Sequence, residues 1–530
     1  MREQGRTTMT TPDHLTGVAD VTRHLVPDPA AGLGPDHLPG TFEDLDEEDR
    51  HLAQLGYSRE YQRDMTFWGN LSLGFTYLSP VVGVYSLFAY ALATGGGAMI
   101  WAVVLAAVGQ LLVALVFGEV VSQFPVSGGI YPWTRRLWGR KWSWMAGWIY
   151  MIALLITISS VSYGAGPFVA MLLGIEPSPG VTVGCAVAII ALVTVLNLGG
   201  TKLLARLAFF GFAAELIGAL AVGGWLLLTE RHQDLGVLFD TAGTEGSGSY
   251  LPAFLASALI GVYLYYGFEA CGDVAEEVKS PRTQIPRSMR MTIYIGGIAS
   301  FFITFALLLA VPDIGKVVAG EDADPVTTIL QDAFGPVGFR VVLAIVLISF
   351  VSCALSLQAA ASRLIYSYAR DKMVPFHELL SKFSPTRAVP PYALALAALV
   401  PTVVVVGSLA SADALTKIVS FAALGIYLGF MMVVVAALRA RLKGWRPNGP
   451  FTLGRWGLPV TIAALTYQVL AATNMAWPRT PDAPWYDNYI VILSAVIVVA
   501  AGWIYMTASN RHTHHDAPHG DAIPTSKEQA

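Results

Sequence analysis

Charged residues are scarce in this sequence. Only 13% of its 530 residues are Asp, Glu, Lys or Arg, and 54% are hydrophobic, whereas soluble domains carry about 25% charged residues. The net charge of −4 provides no basic surface for nucleic acid. The three cysteines lie in apolar stretches and form neither a disulfide framework nor a zinc spacing. This composition predicts a chain whose solvent is lipid.

Catalytic and cofactor motifs are also missing. No GxxxxGK[ST] segment for a nucleotide and no HExxH pair occurs. Eight of the ten histidines lie in the two tails, and His232 and His377 lie in predicted loops. We therefore expect no enzyme, no cofactor and no metal site. The tract HTHH at 512–515 could bind a metal, but a solvated tail is the favoured interpretation.

Twelve apolar stretches are long enough to cross a bilayer, which takes roughly 20 residues each. They predict an all-α integral membrane protein. The predicted helices are 66–94, 97–123, 143–173, 180–198, 203–229, 251–276, 288–311, 339–369, 391–409, 413–438, 457–476 and 488–507. Residues 1–65 are polar and acidic, without a signal peptide, and predict a mostly disordered tail with a possible short helix at 46–63. A second polar tail covers residues 508–530.

The distribution of positive charge orients these helices. Twenty lysines and arginines fall in the connections on one side, and five fall in those on the other. By the positive-inside rule, both tails are predicted to be cytoplasmic in a multi-pass protein of the cell membrane.

Two of the predicted helices carry signs of a break. In the first, Pro80 and Gly83 stand at mid-membrane, where proline removes an amide donor. In the sixth, Tyr266–Ala270 combines Gly267 with the carboxylate of Glu269. A carboxylate at this depth is a functional candidate, although a simple proline kink and a structural carboxylate are the alternatives.

The two breaks are five helices apart. Because five is odd, this spacing favours two inverted repeats, 66–229 and 251–438, followed by two extra helices at 457–507. Freed backbone groups at such breaks can bind substrates and ions. No direct sequence repeat proves the division.

Motifs in the connections resemble those of the amino acid–polyamine–organocation permease superfamily. They are GEVVSQFPVSGGIYPWTRRLWG at 118–139, GFEACGDVAEEVKSPRTQIPRSM at 267–289 and ASRLIYSYARDKMVPF at 361–376. NLGGTKLLARLAFFGFAAELIG at 197–218 and GPFTLGRWGLPV at 449–460 resemble the amino acid/choline branch, which includes GABA and choline permeases. The resemblance covers residues 66–507 and implies the leucine-transporter-like fold of 5+5 inverted repeats with discontinuous helices 1 and 6.

The resemblance also implies a substrate site at the two breaks. The substrate carboxylate usually meets amides of helix 1, and its amine meets carbonyls of helices 1 and 6. Many relatives have a glycine where Val81 stands, which puts the carboxylate clamp in question. The substrate-binding candidates are Ser79, Val81, Val82, Gly83, Val84, Tyr266, Gly267, Phe268, Glu269 and Ala270.

Candidates for ion coupling are Glu215, Glu269, Ser349 and Ser352. Glu215 stands where some proton-coupled relatives have a lysine. Burial favours a neutral carboxyl, so Glu215 could carry a proton or help to hold a cation; a packing carboxylate bonded to Ser or Thr hydroxyls is the alternative. Ser349 and Ser352 share a helix face, and a sodium site there is the minority interpretation beside back-bonding to helix carbonyls.

Further side chains complete the expected picture. Charges at Glu276, Glu277, Arg282, Arg287 and 370–372 could form cytoplasmic ion pairs that latch one conformation. Trp133, Trp138, Trp142 and Trp144 suit the membrane interface. Rings near the proposed site, which a quaternary ammonium could use, are Tyr150, Tyr163, Tyr263, Tyr265, Tyr266 and Phe268.

The sequence therefore predicts a secondary active transporter of an amino acid or related small amine. Alternating access would be coupled to protons or run as exchange, with sodium less favoured. The alternatives are a choline, GABA or polyamine transporter, a channel, and a substrate sensor built on the same fold. The expected partners are the small-molecule substrate and membrane lipid, and the oligomeric state is unknown.

Overall fold

Helices account for the regular structure of this chain. The computed structural model describes residues 46–246, 248–410 and 414–513, without the side chains of 410 and 414–420. Within these ranges the only pairing of extended segments is two isolated bridges, Met65 with Val278 and Ser384 with Val389.

Twenty α-helices are numbered here in chain order. They are α1 Glu47–Gln54, α2 Phe67–Leu78, α3 Pro80–Gly95, α4 Ile100–Gln123, α5 Ile130–Leu137, α6 Arg140–Leu173, α7 Pro179–Asn197, α8 Thr201–Thr229, α9 Leu251–Ser257, α10 Leu259–Leu264, α11 Ala270–Asp273, α12 Pro281–Ala310, α13 Ile314–Val318, α14 Pro325–Arg370, α15 His377–Leu380, α16 Pro391–Gly407, α17 Ala414–Leu442, α18 Gly457–Ala476, α19 Trp485–Asn488 and α20 Ile490–Ser509.

The prediction of about twelve membrane helices is confirmed. Within the described ranges, ten segments are long and apolar enough to cross a membrane. Two shorter apolar segments, Leu251–Leu264 and Pro391–Gly407, correspond to the predicted sixth and ninth helices. Helices 1 and 6 are discontinuous, since α2 and α3 meet at Ser79 and residues 265–269 separate α10 from α11.

The start of the predicted eighth helix was wrong. The sequence places it at 339, whereas α14 begins at Pro325, capped by the Asp324 side chain on the Thr327 amide. Gly335, with φ of 58°, divides α14 into two helical parts. The connection left between the predicted seventh and eighth helices, 312–338, therefore contains the start of α14, capped by an acidic residue, rather than one long loop.

The connection after α4 also differs from its prediction. Trp133, Trp138, Trp142 and Trp144 were expected at the membrane interface. The connection instead contains α5, and both Trp133 and Trp144, which lies in the first turns of α6, are fully buried. Their indole nitrogens donate to backbone carbonyls of Phe124 and Met373, at 3.1 and 3.0 Å. Buried tryptophan usually finds such a partner, so the interface assignment was wrong for these two residues.

We call the face that carries the Lys- and Arg-rich connections the basic side. Contacts join these connections to one another: the Ser127 hydroxyl accepts from the Glu276 amide at 3.0 Å, and the Met65 amide donates to the Glu277 carbonyl at 3.0 Å. The chain just before α2 is thereby held against the chain just after α11.

The contacts separate residues 46–58 from the residues that follow. In this short unit Asp46 caps α1, its carboxylate accepting from the Asp49 amide at 2.7 Å. The predicted disorder of residues 1–65 falls mostly on residues outside the described ranges, as does half of the HTHH tract. In the described ranges, no cluster of His, Cys, Asp or Glu has the form of a metal site.

A candidate substrate site between two helix breaks

The break in the first membrane helix centres on one residue. Ser79 ends α2 and caps α3 in a left-handed conformation, with φ of 44°, which a non-glycine residue rarely adopts. Pro80 follows as the first residue of α3, a position where its missing amide hydrogen costs nothing. The sequence therefore ends one helix and starts the next within a single turn.

Glu215 of α8 closes this break from outside. Its Oε1 accepts from the Ser79 hydroxyl at 2.8 Å and from the Val81 amide at 2.9 Å. The side chain is fully buried. Its Oε2 has no hydrogen-bond partner within the described ranges. A carboxylate here also compensates the positive end of the α3 dipole.

The amides at the start of α3 are all occupied. Val81 donates to Glu215, Val82 donates to the Ser79 hydroxyl at 3.4 Å, and Gly83 donates to the Ser79 carbonyl at 3.1 Å. Pro80 has no amide hydrogen. The family resemblance implies that these amides bind the substrate carboxylate. In this conformation they are instead bonded to Glu215 and Ser79 of the protein itself.

The break in the sixth membrane helix is longer. Gly267 has φ of 119°, and a Cβ built on it would lie 2.5 Å from the Leu78 amide nitrogen. Only glycine fits such a conformation and so close an approach. The two breaks therefore touch, with residues 265–269 packed on the last turn of α2.

Glu269, which lies in the second break itself, accepts hydrogen bonds there. Its Oε2 accepts from the Gly267 amide at 2.7 Å, and its Oε1 accepts from the Tyr150 hydroxyl at 3.1 Å. Tyr150 belongs to α6 and also lies 3.4 Å from Asp273 Oδ2. The sequence analysis missed Asp273, although its spacing of four residues from Glu269 on a helix was a usable signal.

A cavity of about 360 Å³ lies beside the two breaks. Its wall is built from aromatic rings, hydroxyls and aliphatic groups, and none of the described lining residues is charged. The lining residues are Tyr77, Leu78, Val82, Gly83, Ser86, Leu87, Thr157, Ser160, Val161, Tyr163, Gly164, Tyr263, Tyr266, Phe350, Cys353, Leu357 and Ala422. The Tyr266 ring packs against Tyr77 and Tyr263, with centroids 6.0 and 6.4 Å away.

Three of the ten predicted substrate residues line this cavity: Val82, Gly83 and Tyr266. The remaining seven, which shape the breaks behind its wall, are Ser79, Val81, Val84, Gly267, Phe268, Glu269 and Ala270. Among the predicted aromatic residues, Tyr163 and Tyr263 also line it. Sequence reasoning missed the hydroxyls of Ser86, Thr157 and Ser160, because isolated serines and threonines carry no positional signal.

Ion pairs join the connections on the basic side to one another. The Arg370 guanidinium contacts Glu276 with two hydrogen bonds, of 3.0 and 3.2 Å, and Arg363 contacts Glu277 in the same way at 2.8 and 3.2 Å. The Tyr131 hydroxyl donates to Asp371 at 2.8 Å. On the opposite side, Ser86 both lines the cavity and is exposed.

These contacts contain the ion pairs expected at Glu276 and Glu277. Arg363 was not singled out as a partner, although it lies in the 361–376 motif. Arg363 and Glu277 are both fully buried, and the Thr201 hydroxyl also donates to Glu277. The pair is therefore part of the protein interior rather than solvated loop charge.

The two serines proposed for sodium lie on α14. The Ser349 hydroxyl donates to the Ile345 carbonyl at 3.1 Å, and the Ser352 hydroxyl donates to Ile348 at 2.7 Å. Both make the back-bonds to the preceding turn that serines in helices commonly make. The structure therefore brings Glu215 and Ser79 into contact, whereas these serines are engaged by their own helix.

The sequence is similar to known permeases along most of its length. A family model described as amino acid permease matches residues 68–510. Amino-acid permease BAT1 of Arabidopsis thaliana is 26% identical over 502 residues, covering 88% of this chain and 96% of that protein. A BAT1 homolog of Oryza sativa subsp. japonica is 27% identical over 492 residues, covering 85% and 94%.

A third relative, a putative amino acid/polyamine transporter of Macrophomina phaseolina, is 26% identical over 404 residues, covering 72% of this chain and 88% of that protein. The names of these relatives are those of transporters, not of enzymes. The family match spans both helix breaks and the cavity, and it confirms the resemblance to the amino acid–polyamine–organocation superfamily. The chain therefore belongs to the amino acid permease family, whose members are multi-pass membrane transporters.

Proposed function

We propose that this protein is a secondary active transporter of an amino acid or related small amine, working by alternating access. The observation that carries the proposal is a cavity beside two helix breaks, with ion pairs joining the connections on the basic side and an exposed lining residue, Ser86, on the other. We infer that the ion pairs close the basic side, and such a one-sided closure is what alternating access requires. The basic side and both tails are cytoplasmic in this proposal, in the cell membrane.

The transport cycle follows from this geometry. Separating Glu276 from Arg370 and Glu277 from Arg363 would open the basic side, while the half-helices at the two breaks change their angles. The segments 66–229 and 251–438 act as the two inverted repeats of this motion. Uptake is coupled to protons or proceeds by exchange.

An amine without a free carboxylate is a second candidate substrate, such as choline or a polyamine. It is favoured by a specific observation: the first-turn amides of α3 are already occupied, so a substrate carboxylate must displace Glu215 or use wall hydroxyls. Five wall residues, Tyr77, Tyr163, Tyr263, Tyr266 and Phe350, offer aromatic faces on which a cation can rest.

The test starts with thermal shifts of the purified protein against matched pairs of ligands. Each pair is an amino acid and the amine that lacks its carboxylate, with GABA and choline added. We expect the binding member of each pair to raise the unfolding temperature in proportion to its affinity. That ligand is then tested for saturable, gradient-driven accumulation in proteoliposomes. Binding without accumulation would indicate a sensor, and flux that does not saturate would indicate a channel.

A further inference from the structure

Two buried carboxylates lie next to each other at the end of the sixth membrane helix. Glu269 and Asp273 are one helical turn apart, and the Asp273 amide donates to the Glu269 carbonyl at 3.1 Å. Both side chains are fully buried. Two negative charges this close cannot both persist without compensation in a site of low dielectric.

The neutral donors around the pair, which include the Tyr77 hydroxyl and the amides of Gly267 and Glu269, serve Glu269 and leave Asp273 with Tyr150 alone among the described residues. The single hydroxyl hydrogen of Tyr150 can point to Glu269 at 3.1 Å or to Asp273 at 3.4 Å. The Gly267 amide serves Glu269 alone. Asp273 Oδ1 has no hydrogen-bond partner within the described ranges, although it is buried. A buried acceptor without a donor is costly, and a proton on the pair would remove that cost.

Among the residues that the structure describes, no cation compensates the pair. Of the carboxylates that follow on the same segment, Glu276 is bonded to Arg370 and Glu277 to Arg363. Within the described ranges, neither Glu269 nor Asp273 has a basic partner. The titratable groups that face the pair are Tyr150 from α6, Tyr77 from α2, Tyr266 from the second break and Cys271 from α11 itself, with Cys353 of α14 beyond Tyr77. None of these supplies a positive charge.

We propose that Glu269 and Asp273 share one proton while the basic side is closed, and that this proton passes to water on the basic side as that side opens, after which the ionised pair keeps it open. The inference rests on the proposed function, since it assigns the coupled proton of that transport cycle to a place. Tyr150 lies between the two carboxylates, and its hydroxyl can donate to whichever of them is ionised. Asp273, which is buried and is not among the residues that line the cavity, is thus a coupling residue.

The pair is joined directly to the closed side. The Gly128 amide donates to the Asp273 carbonyl at 2.9 Å, and a Cβ built on Gly129 would lie 2.1 Å from Asp273 Oδ1. Ser127, the residue before this glycine turn, exchanges two hydrogen bonds with Glu276. Repulsion between two ionised carboxylates therefore acts on the segment that the turn and the Glu276–Arg370 pair hold shut.

The first test needs no substrate. The unfolding temperature of the full-length purified protein is measured from about pH 6 to about pH 9 for the wild type, Asp273→Asn and Glu269→Gln. The shared proton stabilises the folded state at low pH, and its loss removes that stability as the pH rises. We expect the wild type to lose several degrees across this range and each variant to lose much less.

Glu119→Gln is the matched control, because Glu119 is buried but bonded to Arg441. It should lower the unfolding temperature without changing its dependence on pH. Tyr150→Phe is expected to move the pH profile of the unfolding temperature rather than to flatten it. Without the hydroxyl, the ionised pair is less stabilised, so the midpoint of the pH profile moves to higher pH.

The second test uses transport of the ligand found in the screen. In Asp273→Asn and Glu269→Gln, we expect proton-driven accumulation to fall at least about fivefold, the lower range of coupling between sites. In Asp273→Asn, exchange of labelled for unlabelled substrate at equal pH should stay within about threefold of wild type, because exchange needs no net proton release.

The outcomes separate this inference from the proposed function. Transport with a pH dependence that neither variant alters, or pH profiles of stability that coincide for wild type and both variants, would overturn the shared proton. Absence of transport with the expected stability profiles would overturn the function but keep the proton on the pair. Tyr150→Phe keeps the test decisive if an amide variant does not fold.

Discussion

At each of the two helix breaks, a buried carboxylate accepts a hydrogen bond from a freed backbone amide, but the two carboxylates come from different parts of the chain. At the first break, the amide of Val81 is bonded by Glu215, which lies 134 residues away on α8. At the second, the amide of Gly267 is bonded by Glu269, two residues along the same segment. Each carboxylate also takes one hydroxyl hydrogen, from Ser79 and from Tyr150. A buried carboxylate thus replaces the lost helical bonds in both places.

The difference lies in what surrounds each carboxylate. In the described part of the chain, no second acidic group is bonded into the site of Glu215, whereas Glu269 shares Tyr150 with Asp273. Further along the same segment, Glu276 and Glu277 have arginine partners. Within the described ranges, the sixth helix therefore passes from uncompensated carboxylates to fully paired ones over two turns. Glu269 and Asp273 are therefore suited to exchange a proton, whereas the paired Glu276 and Glu277 are suited to hold one conformation.

Removing a cation from the paired part should have the largest effect. Arg363→Ala leaves Glu277 buried with only the Thr201 hydroxyl among its side-chain partners, and breaking such a pair costs about 3–5 kcal/mol. We expect a large loss of folded protein, measured by the unfolding temperature and by the monodisperse yield in detergent.

The double variant Arg363→Met with Glu277→Leu sharpens this test. Replacing both partners by apolar groups removes the uncompensated charge, so much of the stability should return. The transporter would then lack one latch, and its exchange rate should change. A single variant as stable as wild type would show that the pair does not hold the basic side.

Disturbing the first break should have the next largest effect. Glu215→Ala leaves the Ser79 hydroxyl and the Val81 amide without their acceptor, at about 1–3 kcal/mol for each buried group. Glu215→Gln keeps an acceptor oxygen but loses the charge that opposes the α3 dipole. We expect the order of uptake and of unfolding temperature to be wild type, Gln, then Ala.

The same variants test whether Glu215 carries a coupled proton. If it does, Glu215→Gln abolishes proton-driven uptake while exchange remains in part. If Glu215 only closes the break, the pH dependence of uptake in Glu215→Gln matches that of the wild type. Equal uptake by wild type and Glu215→Ala would contradict both roles.

Much of this architecture follows from local sequence signals. A proline inside an apolar stretch predicted the break at Ser79, and Gly267 with Glu269 predicted the second, because few other residues interrupt a membrane helix. The twelve helices followed from hydropathy alone. These features depend on residues that are adjacent in the chain.

Other features depend on contacts that no local signal encodes. The partner of Ser79 is Glu215, and the partner of Glu277 is Arg363, 86 residues away. Trp133 and Trp144 were assigned to the interface because hydropathy does not separate an interfacial ring from one buried in the protein. The first part of α14 was taken for a loop because its acidic start, which caps the helix, also looks like a polar connection.

The smallest effect is expected at the serines of α14. Ser349→Ala and Ser352→Ala remove hydroxyls whose hydrogens are held by carbonyls of their own helix, so stability should change by less than about 0.5 kcal/mol. Ser494→Ala on α20 is a matched control, since Ser494 makes the same back-bond to Ile490 at 2.7 Å.

Such a hydroxyl still has a lone pair for a cation, so sodium dependence decides between the two interpretations. We expect uptake in all three serine variants to stay within about twofold of wild type, with sodium and potassium giving equal rates. A wild-type rate that rises with sodium and loses this rise in Ser352→Ala, but not in Ser494→Ala, would place a sodium ion beside the first break. In that case Glu215, whose Oε2 has no hydrogen-bond partner within the described ranges, would be the anionic ligand. The two breaks would then differ in the ion they bind as well as in the origin of their carboxylates.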